Sequence, residues 1–154
     1  MISIYKPTKK DLWFRALMLS DKDTMAYNHK YGGTIEFKNE DWDDWYDYWL
    51  LCDEKERLYR YVKNDNGDFV GEIAYHFDKE INNYVANVII YAIYRNQGYG
   101  SDALDILCKI AKTNGINVLY DDIAIDNSAY SMFLKHGFFE EYRTEEKIYL
   151  KKVL

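Results

Sequence analysis

Apolar and polar positions alternate, cluster and break along this chain in blocks that assign most of its elements. Val85 to Ile93 mixes Val, Ile and Tyr without Gly or Pro and is too short to cross a bilayer, which predicts a buried strand. After Gly98 and Gly100, the positions Ala103, Leu104, Leu107, Ile110 and Ala111 give a helical stripe ended by Asn114-Gly115. Upstream, Ile2 to Tyr5 alternates like a short strand, and Thr8 caps a helix from Lys9. Asp21 to Phe37 has no period and reads as a loop, with turn chemistry from Asn28 to Gly33. Across Glu40 to Glu54, Trp42, Trp45, Tyr46 and Trp49 form one aromatic stripe of a helix, with Asp41, Asp43, Asp44 and Asp47 on its other positions. Leu58 to Val62 and Phe69 to Phe77 are strands joined through Asn64 to Asp68, and a second turn near Asp78 to Asn83 leads into the strand at 85.

Beyond the glycines, Val118 to Ile125 is a strand parallel to 85–93, linked to it by a right-handed crossover through the helix. Ser128 to His136 is a short helix stopped by Gly137, and Phe138 to Arg143 pairs with Lys147 to Lys151 as a closing hairpin. This order predicts one domain over residues 1–154, an α/β (α+β) mixed sheet, mostly antiparallel, with helices on both faces.

Composition narrows the function classes. The net charge is −6 and no Lys/Arg cluster offers a groove to nucleic acid, so a cationic partner is expected and nucleic acid is not. The first twenty residues carry Lys6, Lys9, Lys10, Asp11 and Arg15, which interrupts any signal-peptide core. A cytoplasmic protein with no membrane partner is the expectation. Cys52 and Cys108 lack CxxC spacing, and His29, His76 and His136 show no ligand pattern, so no metal is expected. The 16 Tyr and 4 Trp leave aromatics for the surface, which makes a homodimer an expectation too.

A strand, a glycine turn and a helix start aim bare N–H groups and the positive end of a helix dipole at one place, which suits a diphosphate. Gly98-x-Gly100-x-x-Ala103 matches the dinucleotide fingerprint, with Asp121 and Asp122 at the spacing of its ribose acid. That turn, however, follows its strand at once and opens its domain, whereas here Tyr94 to Gln97 intervene and too few elements remain for a doubly wound sheet. Read as R-x-x-G-x-G, Arg95-Asn96-Gln97-Gly98-Tyr99-Gly100 resembles the acyl-CoA signature of the GNAT superfamily of N-acetyltransferases. Asp126-Asn127-Ser128-Ala129 followed by Phe133-Leu134-Lys135-His136-Gly137-Phe138 is similar to that family's closing segment.

The resemblance implies acetyl-CoA as cosubstrate, held where the strand before the arginine splays from its parallel neighbour. The backbone of Ile90 and Tyr91 would bind pantetheine and polarise the thioester. The segment Arg95, Asn96, Gln97, Gly98, Tyr99, Gly100 and Ser101 would hold the diphosphate. Asn127 corresponds to the family's cofactor-side asparagine, and it equally suits the N-cap of the helix from Ser128. Phe133 stands where many members have a tyrosine near the thiolate, so Tyr130, one turn earlier, is the substitute general acid. Asn87 occupies the place of a glutamate base found in some members. Among the carboxylates left, Glu72, sharing a strand face with His76, is the first expectation for a base and Asp122 the second. The function expected is direct, ternary-complex acetyl transfer to a primary amine of a small cationic molecule or a peptide. The alternative is a non-catalytic acyl-CoA-binding sensor or scaffold on the same fold, suggested by Phe133 and Asn87.

Overall fold

The computed structural model describes residues 1–154. Seven strands form one sheet: β1 Ser3–Tyr5, β2 Arg57–Lys63, β3 Phe69–Asp78, β4 Asn83–Ile90, β5 Val118–Ala124, β6 Phe139–Arg143 and β7 Lys147–Val153, in the order β1-β2-β3-β4-β5-β7-β6. Every neighbouring pair is antiparallel except β4 with β5. That parallel pair is joined across α3, Tyr99–Thr113, as the strand–helix–strand pattern requires.

Side-chain alternation divides the core between the two faces. Ile73, Tyr75 and Ala86 pack with Leu104, Leu107 and Ala111 of α3, while Tyr59, Tyr61 and Ala74 pack with Phe14 and Met18 of α1, Leu12–Ser20, and with Leu50 of α2, Trp42–Leu50. Helices therefore cover both faces, and α4, Tyr130–Lys135, closes the α3 side through Phe133.

Three differences from the sequence reading bear on the site. The strand expected to reach Ile93 ends at Ile90: the Tyr91 amide makes the last bond to β3, to Val70 O at 2.9 Å, and the Ala92 amide, on the side away from β3, is held by Thr24 Oγ1, also at 2.9 Å. Residues Ala92–Tyr94 then make a 3-10 turn. The aromatic helix stops at Leu50 rather than Glu54, where Arg57 Nε donates to Tyr48 O at 2.7 Å. The loop from Asp21 contains a 3-10 helix, Ala26–Tyr31, ended by Gly32 in the left-handed region and closed by Asn28 Nδ2 donating to Gly33 O at 2.8 Å.

One glycine sets how closely β3 and β4 approach. A Cβ on Gly71 of β3 would lie 2.4 Å from Ile89 O and 2.7 Å from Ile90 Cδ1, so only a residue without a side chain lets the two strands approach there.

Candidate functional site

β4 and β5 pair only at Tyr84 with Leu119 and Val85 with Tyr120; past that point they separate. Since Tyr91 and its alternate neighbours bond toward β3, the backbone groups of Val88 and Ile90 face the gap. The gap continues into a cleft of about 880 Å³ that runs from the glycine turn to the aromatic face of α2.

At one end lies the N-terminus of α3. Gly98 holds φ +84°, Asn96 holds φ +63°, and the amides of Gly98, Tyr99, Gly100 and Ser101 donate to no backbone carbonyl. Four unpartnered N–H groups at the positive end of a 15-residue helix form a cradle for an anion. Nothing lies within 4 Å of a Cβ position on Gly98, so the space before the amides is open.

The structure gives several of the expected cofactor residues more particular roles. Arg95 donates from Nε to Ile90 O at 3.2 Å, from Nη1 to Asp23 O at 3.0 Å and from Nη2 to Thr24 O at 2.8 Å. It clasps the loop after α1 to the end of β4 while its charge stands at the head of the glycine turn. The Tyr91 amide is committed to Val70, which leaves Ile90 as the member of that pair facing the gap. Asn127 lines the cleft and its Oδ1 accepts the Ala129 amide at 2.9 Å, so it caps the turn into α4 as well. Phe133 lines the cleft, buried edge-to-face against Phe138. Tyr130 does not reach it: its hydroxyl donates to Glu140 Oε2 at 3.3 Å on the far side of α4.

At the other end, Trp45 and Trp49 of α2 wall the cleft above Tyr59. The acidic positions of α2 face elsewhere, with Asp43 and Asp47 near Lys9 Nζ at 3.4 and 3.5 Å. Glu72 is fully buried, bound by Arg15 Nη1 through both oxygens and by the Tyr59 hydroxyl. The Arg15 guanidinium lies 4.6 Å from the Trp45 ring, and its Nε is buried with no partner. On β5, Asp122 pairs with Lys147 Nζ at 2.8 Å.

Asp121 is different. It sits on β5 one residue past the last rung shared with β4, lines the cleft, and no side chain bonds to it. Burial, reinforced by the Asp122 carboxylate, holds its carboxyl well above the usual carboxylate range. From the loop, Tyr27 also lines the cleft; burial, with the charges of Glu72 and Asp121, pushes its phenol up to about 12 against the opposing pull of Arg15 and Arg95. His29 Nε2 lies 3.2 Å from Asp126 Oδ2, joining that loop to the turn after β5.

The sequence singles out neither Arg15 nor Tyr27, and offers Asp121 only under the dinucleotide reading. A helical arginine one turn after Asp11 and a tyrosine in an aperiodic loop carry no local signal. Only the chirality and register of the assembled sheet bring them to the carboxylates.

A family model, the acetyltransferase (GNAT) family, matches residues 20–138. No curated protein matches the chain by sequence. Among solved structures, an acetyltransferase (GNAT family) from Bacillus anthracis superposes with a TM-score of 0.78 at 20% identity, covering 99% of this chain and 94% of that one. Spermidine N-acetyltransferase from Vibrio cholerae, solved with CoA and spermine, gives 0.82 at 13%, covering 99% and 95%. The yncA protein from Salmonella typhimurium, solved with its cofactor acetyl-CoA, gives 0.76 at 17%, covering 100% and 94%.

Proposed function

This chain belongs to the acetyltransferase (GNAT) family, and from that membership we propose that it moves an acetyl group from acetyl-CoA directly to a primary amine of a small cationic molecule or a peptide. The observation that carries the reading is the parting of β4 from β5 beyond Val85, with the free amides of Gly98 to Ser101 at one end of the gap. Those groups fit an acyl carrier: an anion cradle, an unpaired strand edge for amide bonding, and an apolar wall at Phe133 and Met132. Bound acetyl-CoA supplies the thioester carbonyl. The Ile90 amide is fixed toward the gap, where oxyanion charge develops in acyl transfer.

An alkylamine with a pKa of about 10.4 is neutral only about once in two thousand molecules at pH 7, a penalty of about 4 to 5 kcal/mol. Asp121 in its ionised form is suited to take that proton, being unpaired and cleft-facing. Glu72 and Asp122 each already hold a cation, which assigns them to shaping the field of the pocket. Tyr27, protonated at neutral pH, replaces Tyr130 as the group that returns a proton to the leaving thiolate. The indoles of Trp45 and Trp49 suit the remainder of a cationic acceptor, and the spermine in the Vibrio cholerae complex is a cation of that kind.

Isothermal titration with acetyl-CoA, followed by thiol release across a panel of amines, tests the reading. Binding in the micromolar range and turnover on at least one amine are expected. No heat at high micromolar concentration overturns it. Binding without turnover on any amine favours the second reading, an acyl-CoA sensor, which Phe133 in a position without a hydroxyl supports.

A further inference from the structure

Three side chains run from the edge of the cleft to the surface behind the anion cradle. Ser101, in the first turn of α3, hydrogen-bonds His136 Nε2, and His136 Nδ1 lies 2.6 Å from Asp105 Oδ1. Ser101 lines the cleft; His136, at the C-terminal end of α4, does not. The imidazole is largely enclosed, at 16% exposure, while Asp105 is open to solvent at 49%.

We infer that His136 is a positioning residue for the acyl carrier's diphosphate, acting through the Ser101 hydroxyl and making that grip pH-dependent. The inference rests on the proposed reading of the glycine turn as a diphosphate site.

The donor count gives the reason. With His136 neutral and its Nδ1–H donated to Asp105, Nε2 is an acceptor, so the Ser101 O–H must donate to it and turns oxygen lone pairs toward the cradle. With His136 protonated, Nε2–H donates to Ser101 Oγ, and the hydroxyl hydrogen is free for a phosphate oxygen. Protonation thus adds one donor beside the four amides and a positive charge behind them. Linkage makes the effect reciprocal, so the bound diphosphate favours the imidazolium. The charged groups on the surrounding elements are Asp102 and Asp105 on α3, Lys135 on α4 and Lys152 on β7. Lys152 Nζ lies 3.7 Å from where a Cβ on neighbouring Gly137 would stand. Asp105 is the one that touches the ring.

The probe is dephospho-CoA, which keeps the diphosphate but lacks the terminal phosphate monoester whose own second ionisation falls near pH 6. Titration calorimetry on the whole protein at about pH 8 and about pH 6 brackets the range in which imidazoles titrate. Affinity is expected to rise about tenfold toward the lower pH, as for gaining a charge-assisted hydrogen bond. His136→Gln, a side chain of fixed protonation, is expected to abolish the rise. Ser101→Ala is expected to abolish it and weaken binding at the lower pH, while Ser101→Thr keeps it. Melting temperatures report whether each variant folds, and the Ser101 pair serves if His136→Gln does not. A flat wild-type profile, or a rise that survives in Ser101→Ala, overturns the inference and leaves the diphosphate reading standing. No binding at either pH overturns both.

Discussion

Arg15 on α1 holds both carboxylate oxygens of Glu72 on β3 through one nitrogen, Nη1, at 2.8 and 2.7 Å. A carboxylate bound in this way inside the sheet is part of the frame of the pocket. Removing one partner leaves an uncompensated buried charge, so Arg15→Met is expected to lower stability by about 3 to 5 kcal/mol, and Glu72→Leu in the same background to recover most of it. Urea denaturation of the two single variants and the double variant checks this. Additive losses in the double variant would show that the pair does not act as a unit.

Asp121 carries opposite demands of stability and chemistry. A carboxyl whose folded value lies above its unfolded one stabilises the native state fully below the ordinary carboxylate range, and that contribution is lost as pH rises through the folded value. Asp121→Asn, which does not ionise, is therefore expected to melt higher than wild type at neutral pH, with the advantage growing as pH rises across that window. Turnover should fall by about 10² to 10⁴-fold, the usual contribution of a general base. Melting curves and rates taken on the same samples decide both halves.

Tyr27→Phe removes a hydroxyl and nothing else from the wall of the cleft. Turnover on the best amine is expected to fall by at least about tenfold while acetyl-CoA affinity stays within about twofold, as for loss of a general acid that takes no part in holding the carrier. Titration calorimetry beside steady-state rates separates the two. Equal losses in binding and rate would make Tyr27 a packing residue.

Gly100→Asp separates binding from folding by a different route. Its Cβ would meet Met132 Sδ at 3.4 Å and Ile90 Cγ1 at 3.6 Å, ordinary contacts that the fold accepts. An acid in the first turn of α3 complements the helix dipole, so the melting temperature should hold or rise slightly. The same charge stands among the amides meant for a diphosphate, and acetyl-CoA binding should weaken at least about tenfold. Unchanged affinity in calorimetry would remove the carrier from this end of the cleft.

How much of this could be read beforehand follows from the range over which each residue acts. Gly98 and Gly100 announce themselves because a left-handed turn before a helix is a local requirement, and the tryptophans of α2 because burial repeats with the helical period. The end of β4 is hidden from the sequence because the 3-10 turn at Ala92–Tyr94 is anchored by a hydroxyl 68 residues away, on Thr24, which accepts the Ala92 amide. Arg95 was legible as a member of a motif, but its donors go to carbonyls 71 and 72 residues upstream. The partner of Glu72 is illegible in the sequence, since nothing in its own strand reveals Arg15, 57 residues earlier.

Position 71 sets a limit on how this protein can change. A single methyl group there would collide with the carbonyl of Ile89, so the pairing of β3 with the end of β4 tolerates no side chain at that rung. Where β3 meets the end of β4, backbone packs on backbone so closely that there is room for a hydrogen atom and nothing larger.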